Sequence, residues 1–142
     1  MSIQLAAGII ANYFDFRYPF SAGKQVAHFI SANKINAPLI EGNNYYAGIT
    51  VAGYLNKNIY YPQSDRWGSF VIFDKKSDVS PGFALIYEKS CLISRQKKTD
   101  VMILSGREQD TSLFHLEKMA EFNDSTIVED ERYYLYKIPF AP

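Results

Sequence analysis

Between Pro38 and Tyr61 the chain alternates apolar run, polar break, amphipathic stretch, polar break and apolar run. This segment constrains the fold more than any other. Pro38-Leu39-Ile40-Glu41 is short, apolar and rich in strand formers. Gly42-Asn43-Asn44 ends it and supplies residues that cap a helix. Tyr45, Ile49, Ala52 and Leu55 then set an inward stripe at helical spacing. Asn56-Lys57-Asn58 breaks the helix, and Ile59-Tyr60-Tyr61 forms a second strand. A strand, a crossover helix and a strand of this length predict a right-handed βαβ unit with parallel strands.

The flanking sequence extends this pattern. Ser21 is placed to cap a helix that runs to about Asn33, with Ala22, Val26 and Ile30 inward and Lys34 complementing its dipole. Phe70 to Phe73 is continuously apolar, which predicts a buried strand over Ser69 to Phe73. Ser80-Pro81 opens a helix to about Lys97, proline being tolerated at the first helical position. Its inward face is read as Phe83, Tyr87, Cys91 and Ser94. Val101 to Leu104 is a further apolar strand. Asp110 is read as the cap of a helix over Thr111 to Phe122, with Leu113, Leu116 and Ala120 inward. Thr126 to Val128 and Arg132 to Ile138 are read as a hairpin joined by Glu129-Asp130-Glu131, with the last strand antiparallel at a sheet edge. The expected fold is α/β: a single-domain, Rossmann-like layered sandwich, its sheet mostly parallel with an antiparallel C-terminal edge hairpin. Residues 19–142 form that domain, and 1–18 an N-terminal apolar segment that could be the end of a membrane helix.

Composition removes several function classes. Lys+Arg and Asp+Glu number 15 each, so there is no net basic charge of the kind a nucleic-acid binder carries. Hydrophobic residues make up 47% of the 142, enough for a packed core. The single cysteine, Cys91, excludes an internal disulfide and a multi-thiolate metal site. Ile3 to Ala11 is nearly uncharged but far shorter than the ~20 apolar residues of a membrane span. It lacks the basic start of a signal peptide. Two readings stay open for it: an ordinary first helix, or the last turns of a membrane helix that begins before Met1.

Two places could carry binding. Ligands of open α/β sheets sit outside the carboxyl ends of parallel strands. Here those ends are Glu41, Asn43 and Asn44 on one side and Ser105-Gly106-Arg107 on the other, each before an expected helix start that favours anions. Neither matches a dinucleotide or phosphate-loop glycine pattern, so no cofactor is expected. Ordinary turn chemistry is the plainer explanation of both. The second place is the loop holding Tyr60, Tyr61, Gln63, Asp65, Arg66 and Trp67, which contains the chain's only tryptophan. Tyrosine and tryptophan stack on sugar rings, while Gln, Asp and Arg hydrogen-bond hydroxyls, so a glycan or lipid headgroup fits. The plainer alternative is that Trp67 covers the core and Asp65-Arg66 is a surface pair. His28 and His115 lack partners at catalytic or metal spacing. The carboxylates Asp124, Glu129, Asp130 and Glu131 fit no cation cage. No catalytic residue and no metal ligand is assigned.

The stretches PFSAGKQVAHFI, EGNNYYAGITVAGYLNKNIYYPQSDRWGSFVIFD and FNDSTIVEDERYYLYKI resemble the C-terminal soluble region of large bacterial polytopic membrane proteins. Those proteins are similar to the C-type glycosyltransferases that use polyprenyl-phosphate sugars. The resemblance runs from about Ala6 onward and rests on turns and apolar strands, with no catalytic signature. It implies a domain that follows the last membrane helix on the extracytoplasmic face, a cytoplasmic soluble chain being the alternative. The implied partners are a membrane domain of a larger protein or a separate membrane subunit, together with a lipid-linked sugar or glycan, and no nucleic acid. The family's catalytic carboxylate lies in an early membrane loop, outside this sequence, so no catalytic role carries over and this chain alone is not expected to transfer sugar. The alternatives are a small stand-alone hydrolase or transferase using Glu41, Asn43 and Arg107, and a purely structural interaction module. Whether Met1 is the natural start is open.

Overall fold

A computed structural model describes residues 8, 10, 13, 21–43, 45–71, 82–123 and 132–141, with backbone alone at 45 and 46. The chain is mixed α/β. Its element order is α1 (Gly23–Ala32), β1 (Leu39–Glu41), α2 (Tyr45–Leu55), β2 (Ile59–Tyr61), β3 (Arg66–Gly68), α3 (Phe83–Lys97), β4 (Val101–Ser105), β5 (Glu117–Phe122) and β6 (Tyr133–Ile138). The described strands form one six-stranded sheet in the order β3-β2-β1-β4-β6-β5.

The crossover from β1 through α2 to β2 is present, and its strands are parallel with Ile40 opposite Tyr60. Side-chain alternation splits the core into two layers. Leu39, Ile59, Tyr61, Met102, Leu104 and Leu135 face α1 and α2. Ile40, Tyr60, Val101, Ile103, Tyr136 and Ile138 face α3. The central strands β1 and β4 are buried on both faces, which is why they read as unbroken apolar runs.

The sheet departs from the expected mostly parallel arrangement. Only β1–β2 and β1–β4 are parallel, whereas β2–β3, β4–β6 and β5–β6 are antiparallel. The last strand is not at an edge: β6 lies between β4 and β5. The helix expected over Thr111 to Phe122 is one turn followed by edge strand β5. Asp110 does cap that turn, accepting from Ser112 N at 2.9 Å and Leu113 N at 3.2 Å. His115 then takes a left-handed backbone (φ 46°) and redirects the chain. Ala120 and Phe122 alternate onto the α1–α2 face, Leu116 lies on the α3 face across the irregularity between Lys118 and Ala120, and pairing with β6 decides between the two periods. The expected strand over 69–73 shifts too. Arg66–Gly68 pairs with β2, Phe70 is exposed, and 72–73 lie outside the described residues. So do Thr126 to Val128 and the acidic connection Glu129 to Glu131.

Helix packing also differs from the expected stripes. In α2 the buried positions are Ala47, Gly48, Val51 and Ala52, with Ile49 only partly covered. Small residues face the sheet there. A Cβ on Gly48 would sit 2.7 Å from both Glu41 Cγ and Ile59 Cδ1. In α3 the buried face is Ile86, Ser90, Ile93 and Ser94, while Phe83, Tyr87 and Cys91 pack beside it. Each of α1, α2 and α3 is followed by a left-handed residue that is not glycine: Lys34 (φ 52°), Asn56 (φ 50°) and Lys98 (φ 51°). The next amide closes back on the helix in each case, Ile35 N to Ile30 O, Lys57 N to Ala52 O and Thr99 N to Ser94 O. This is the Schellman arrangement. Lys34 therefore terminates its helix by backbone conformation, in addition to any charge effect.

Candidate functional site

The residues singled out from sequence fall into three groups. The first is the β2–β3 hairpin. Ser64 N donates to Tyr61 O at 3.2 Å, and Asp65 is left-handed (φ 53°), so a four-residue turn joins the strands. Tyr60 lies opposite Trp67 on the α3 face. Their ring centroids are 5.3 Å apart at 52°. The Tyr60 hydroxyl donates to Asp65 Oδ1. Lys89 of α3 donates to Pro62 O at 2.8 Å and reaches Asp65 Oδ1 at 3.3 Å. Burial, followed by the Asp65 contact, pushes the Tyr60 phenol above its ordinary range. The same hydroxyl, with help from Lys89, holds the Asp65 carboxyl below its ordinary value.

This pair gives a pH prediction. A carboxyl with a depressed folded pKa adds stability above its unfolded pKa and loses it as pH falls through the folded one. Tyr60→Phe removes the principal cause, so the Asp65 midpoint rises toward the ordinary carboxylate value and this acid-side stabilisation shrinks. The Asp65 carboxyl carbon followed by NMR titration reads the shift directly. An unmoved midpoint would assign the depression to Lys89 alone.

The second group lies on the opposite face. Register across the sheet places Arg66, Tyr61 and Glu41 in one row, continued by Leu104 and Leu135. Glu41 is fully buried beneath α2. Burial and then the Glu41 charge push the Tyr61 phenol upward. Among the described residues, Tyr61 Oη and Gln63 Oε1 are buried without a hydrogen-bond partner. The hairpin residues expected to act together are thus divided by the sheet: Tyr60, Asp65 and Trp67 toward α3, Tyr61 and Arg66 toward the other layer.

The third group is at the carboxyl ends of β1 and β4. Gly42 N donates to Leu104 O at 2.7 Å. Ser105 Oγ lies 3.0 Å from Asn43 Oδ1 and 2.7 Å from Arg107 O, and it accepts from Arg107 N and Gln109 Nε2. Gln109 N donates to the Tyr136 hydroxyl at 2.9 Å. The β1–β4 boundary is where the chain switches direction across the sheet, the position at which α/β proteins commonly bind ligands. Here, however, the polar groups close on one another. Arg107 contributes its backbone to this knot, and its side chain is exposed. Asn44 lies outside the described residues.

A cleft opens at the other end of the parallel strands. It has a volume of about 320 Å³ and is bounded by Trp67, Lys57, Lys97, Asn36 and Asn58 over an apolar floor that includes Ile59. Trp67 is 41% exposed there. Lys97 Nζ sits 4.6 Å from the indole centroid, a cation–π contact. Of the cleft's polar residues, only Trp67 was singled out from sequence. By sequence, Lys57 and Asn58 mark a helix break and Lys97 a helix end. Their convergence comes from helix carboxyl ends meeting at one side of the sheet, which no local pattern reveals. Among the described residues no group of acids, histidines or cysteines could hold a metal ion, and no helix is long and apolar enough to cross a membrane. No family model matches the chain, and neither a curated protein nor a solved structure matches it.

Proposed function

We propose that this chain is a non-catalytic binding domain of Rossmann-like, single-domain layering. It is accessory to a membrane glycosyltransferase-like protein, and on the extracytoplasmic face it contacts a lipid-linked sugar, its acceptor or the membrane domain. The observation that carries the binding reading is Trp67: a half-exposed indole fixed by Tyr60 on the hairpin and facing a cleft with amide and ammonium groups on its rim. A rigid aromatic wall beside a few polar groups is the usual composition of a small-ligand site. The membrane and glycosyltransferase parts of the reading rest on the sequence resemblance.

The test is binding of the whole chain to vesicles carrying a polyprenyl-phosphate hexose, against vesicles without it. Trp67→Ala should weaken sugar-dependent binding by about 2 kcal/mol, roughly 30-fold, as for a central aromatic anchor. The far-ultraviolet circular dichroism should be unchanged. Equal binding by the variant and the parent removes Trp67 from the site.

A further inference from the structure

We infer that the Trp67 cleft selects an acidic saccharide, one bearing a carboxylate or phosphate, over a neutral one. This rests on the reading of Trp67 as a sugar-contacting residue and adds the charge of the ligand.

The chain as a whole carries no net charge, so a local excess of one sign marks a particular surface. Away from the cleft, Lys89 is matched by Asp65, Lys118 by Glu108 and Glu121, and Lys137 by Glu117, while Lys24, Lys34 and Lys98 stand singly with no carboxylate at ion-pair distance among the described residues. Among the described residues, Lys57 and Lys97 have no carboxylate partner, and both border the same cleft. Its lining contains no acidic residue. Lys97 is held against the indole face, so ordering it on binding has little further entropic cost. Asn36 and Asn58 add amide donors and acceptors suited to hydroxyls. The floor is apolar, as the less polar face of a sugar ring requires.

One opposing effect has to be weighed. Three helices end near this cleft, and a helix carboxyl end carries a partial charge of about −0.5 that favours cations. That charge resides on unsatisfied carbonyls. Here Ile30, Ala52 and Ser94 carbonyls already accept backbone amides at 3.0, 3.2 and 3.3 Å. The remaining partial charges are outweighed locally by two full positive charges. If the lysines served only to offset the helix ends, removing one would lower stability and leave binding alone.

Calorimetric titration of the whole chain at low salt with methyl glucoside, glucuronate, glucose 1-phosphate and inorganic phosphate decides the matter. Both acidic sugars should bind at least about 10-fold tighter than the neutral glycoside. Lys57→Gln should remove most of that advantage, and Lys97→Gln should act likewise. Glucuronate and glucose 1-phosphate distinguish a carboxylate from a phosphate source. Equal affinity for methyl glucoside overturns the charge selectivity while leaving the sugar-binding reading standing. Inorganic phosphate binding as tightly as glucose 1-phosphate overturns the saccharide assignment, and no binding of any sugar overturns both readings.

Discussion

Gly42→Ala should destabilise the protein by about 2–3 kcal/mol, the range for forcing extra volume into a packed site. Gly42 follows β1 and lies against the end of β4. A Cβ there would sit 2.5 Å from Leu104 O and 2.9 Å from Ser105 Cα. Both are backbone atoms, so no side-chain rotation relieves the contact. The two central parallel strands must separate, stretching the 2.7 Å bond from Gly42 N to Leu104 O. Urea unfolding should show a lower midpoint with an unchanged slope. Gly53→Ala is the matched control. Gly53 lies exposed in α2 with nothing within 4 Å of an added Cβ. There the same substitution should stabilise by about 0.5–1 kcal/mol, through the higher helix propensity of alanine. Equal effects of the two changes would show that the close approach at Gly42 does not constrain the fold.

Leu104→Ala should remove about 3–4 kcal/mol, within the range for buried leucine truncations. Leu104 is fully buried on β4 and faces the α1–α2 layer. Its neighbours across the sheet are Glu41 on β1 and Leu135 on β6. Strands pinned on both sides collapse poorly into a void, which sets the expectation in the upper part of the range. Loss of less than about 1 kcal/mol in the same urea experiment would mean that α1 and α2 close over the cavity, contrary to a sheet-held core.

The sequence discloses the parts of this molecule whose signals are local. Leu39–Glu41, α2 and Ile59–Tyr61 stand where turn residues and apolar runs place them. Long-range pairing is less legible. Leu113, Leu116 and Ala120 fit a helix by spacing, yet partnership with β6 turns the segment into a strand, and only the Asp110 cap survives from the helical reading. The interior position of β6 is likewise a property of the whole sheet. At the candidate site, Trp67 is visible as the only tryptophan, whereas its contact with Tyr60 comes from cross-strand pairing. Lys57, Lys97, Asn36 and Asn58 come from three separate chain segments and gather only when the helices end side by side. The division of Tyr60 from Tyr61 by the sheet follows from simple alternation along β2.

Strand β5 has a consequence for handling the protein in solution. At zero formal charge, molecules have little mutual repulsion to keep them apart. The six-residue flank Glu117–Phe122 closes one end of the described sheet, where an unpaired backbone could recruit a second molecule. Glu117, Lys118 and Glu121 lie along it, and its pairing with β6 is irregular between Lys118 and Ala120. Charge and irregularity at this one border therefore supply colloidal protection that the molecule's overall charge does not. Raising the ionic strength should screen that protection and bring on self-association well before the fold itself is weakened.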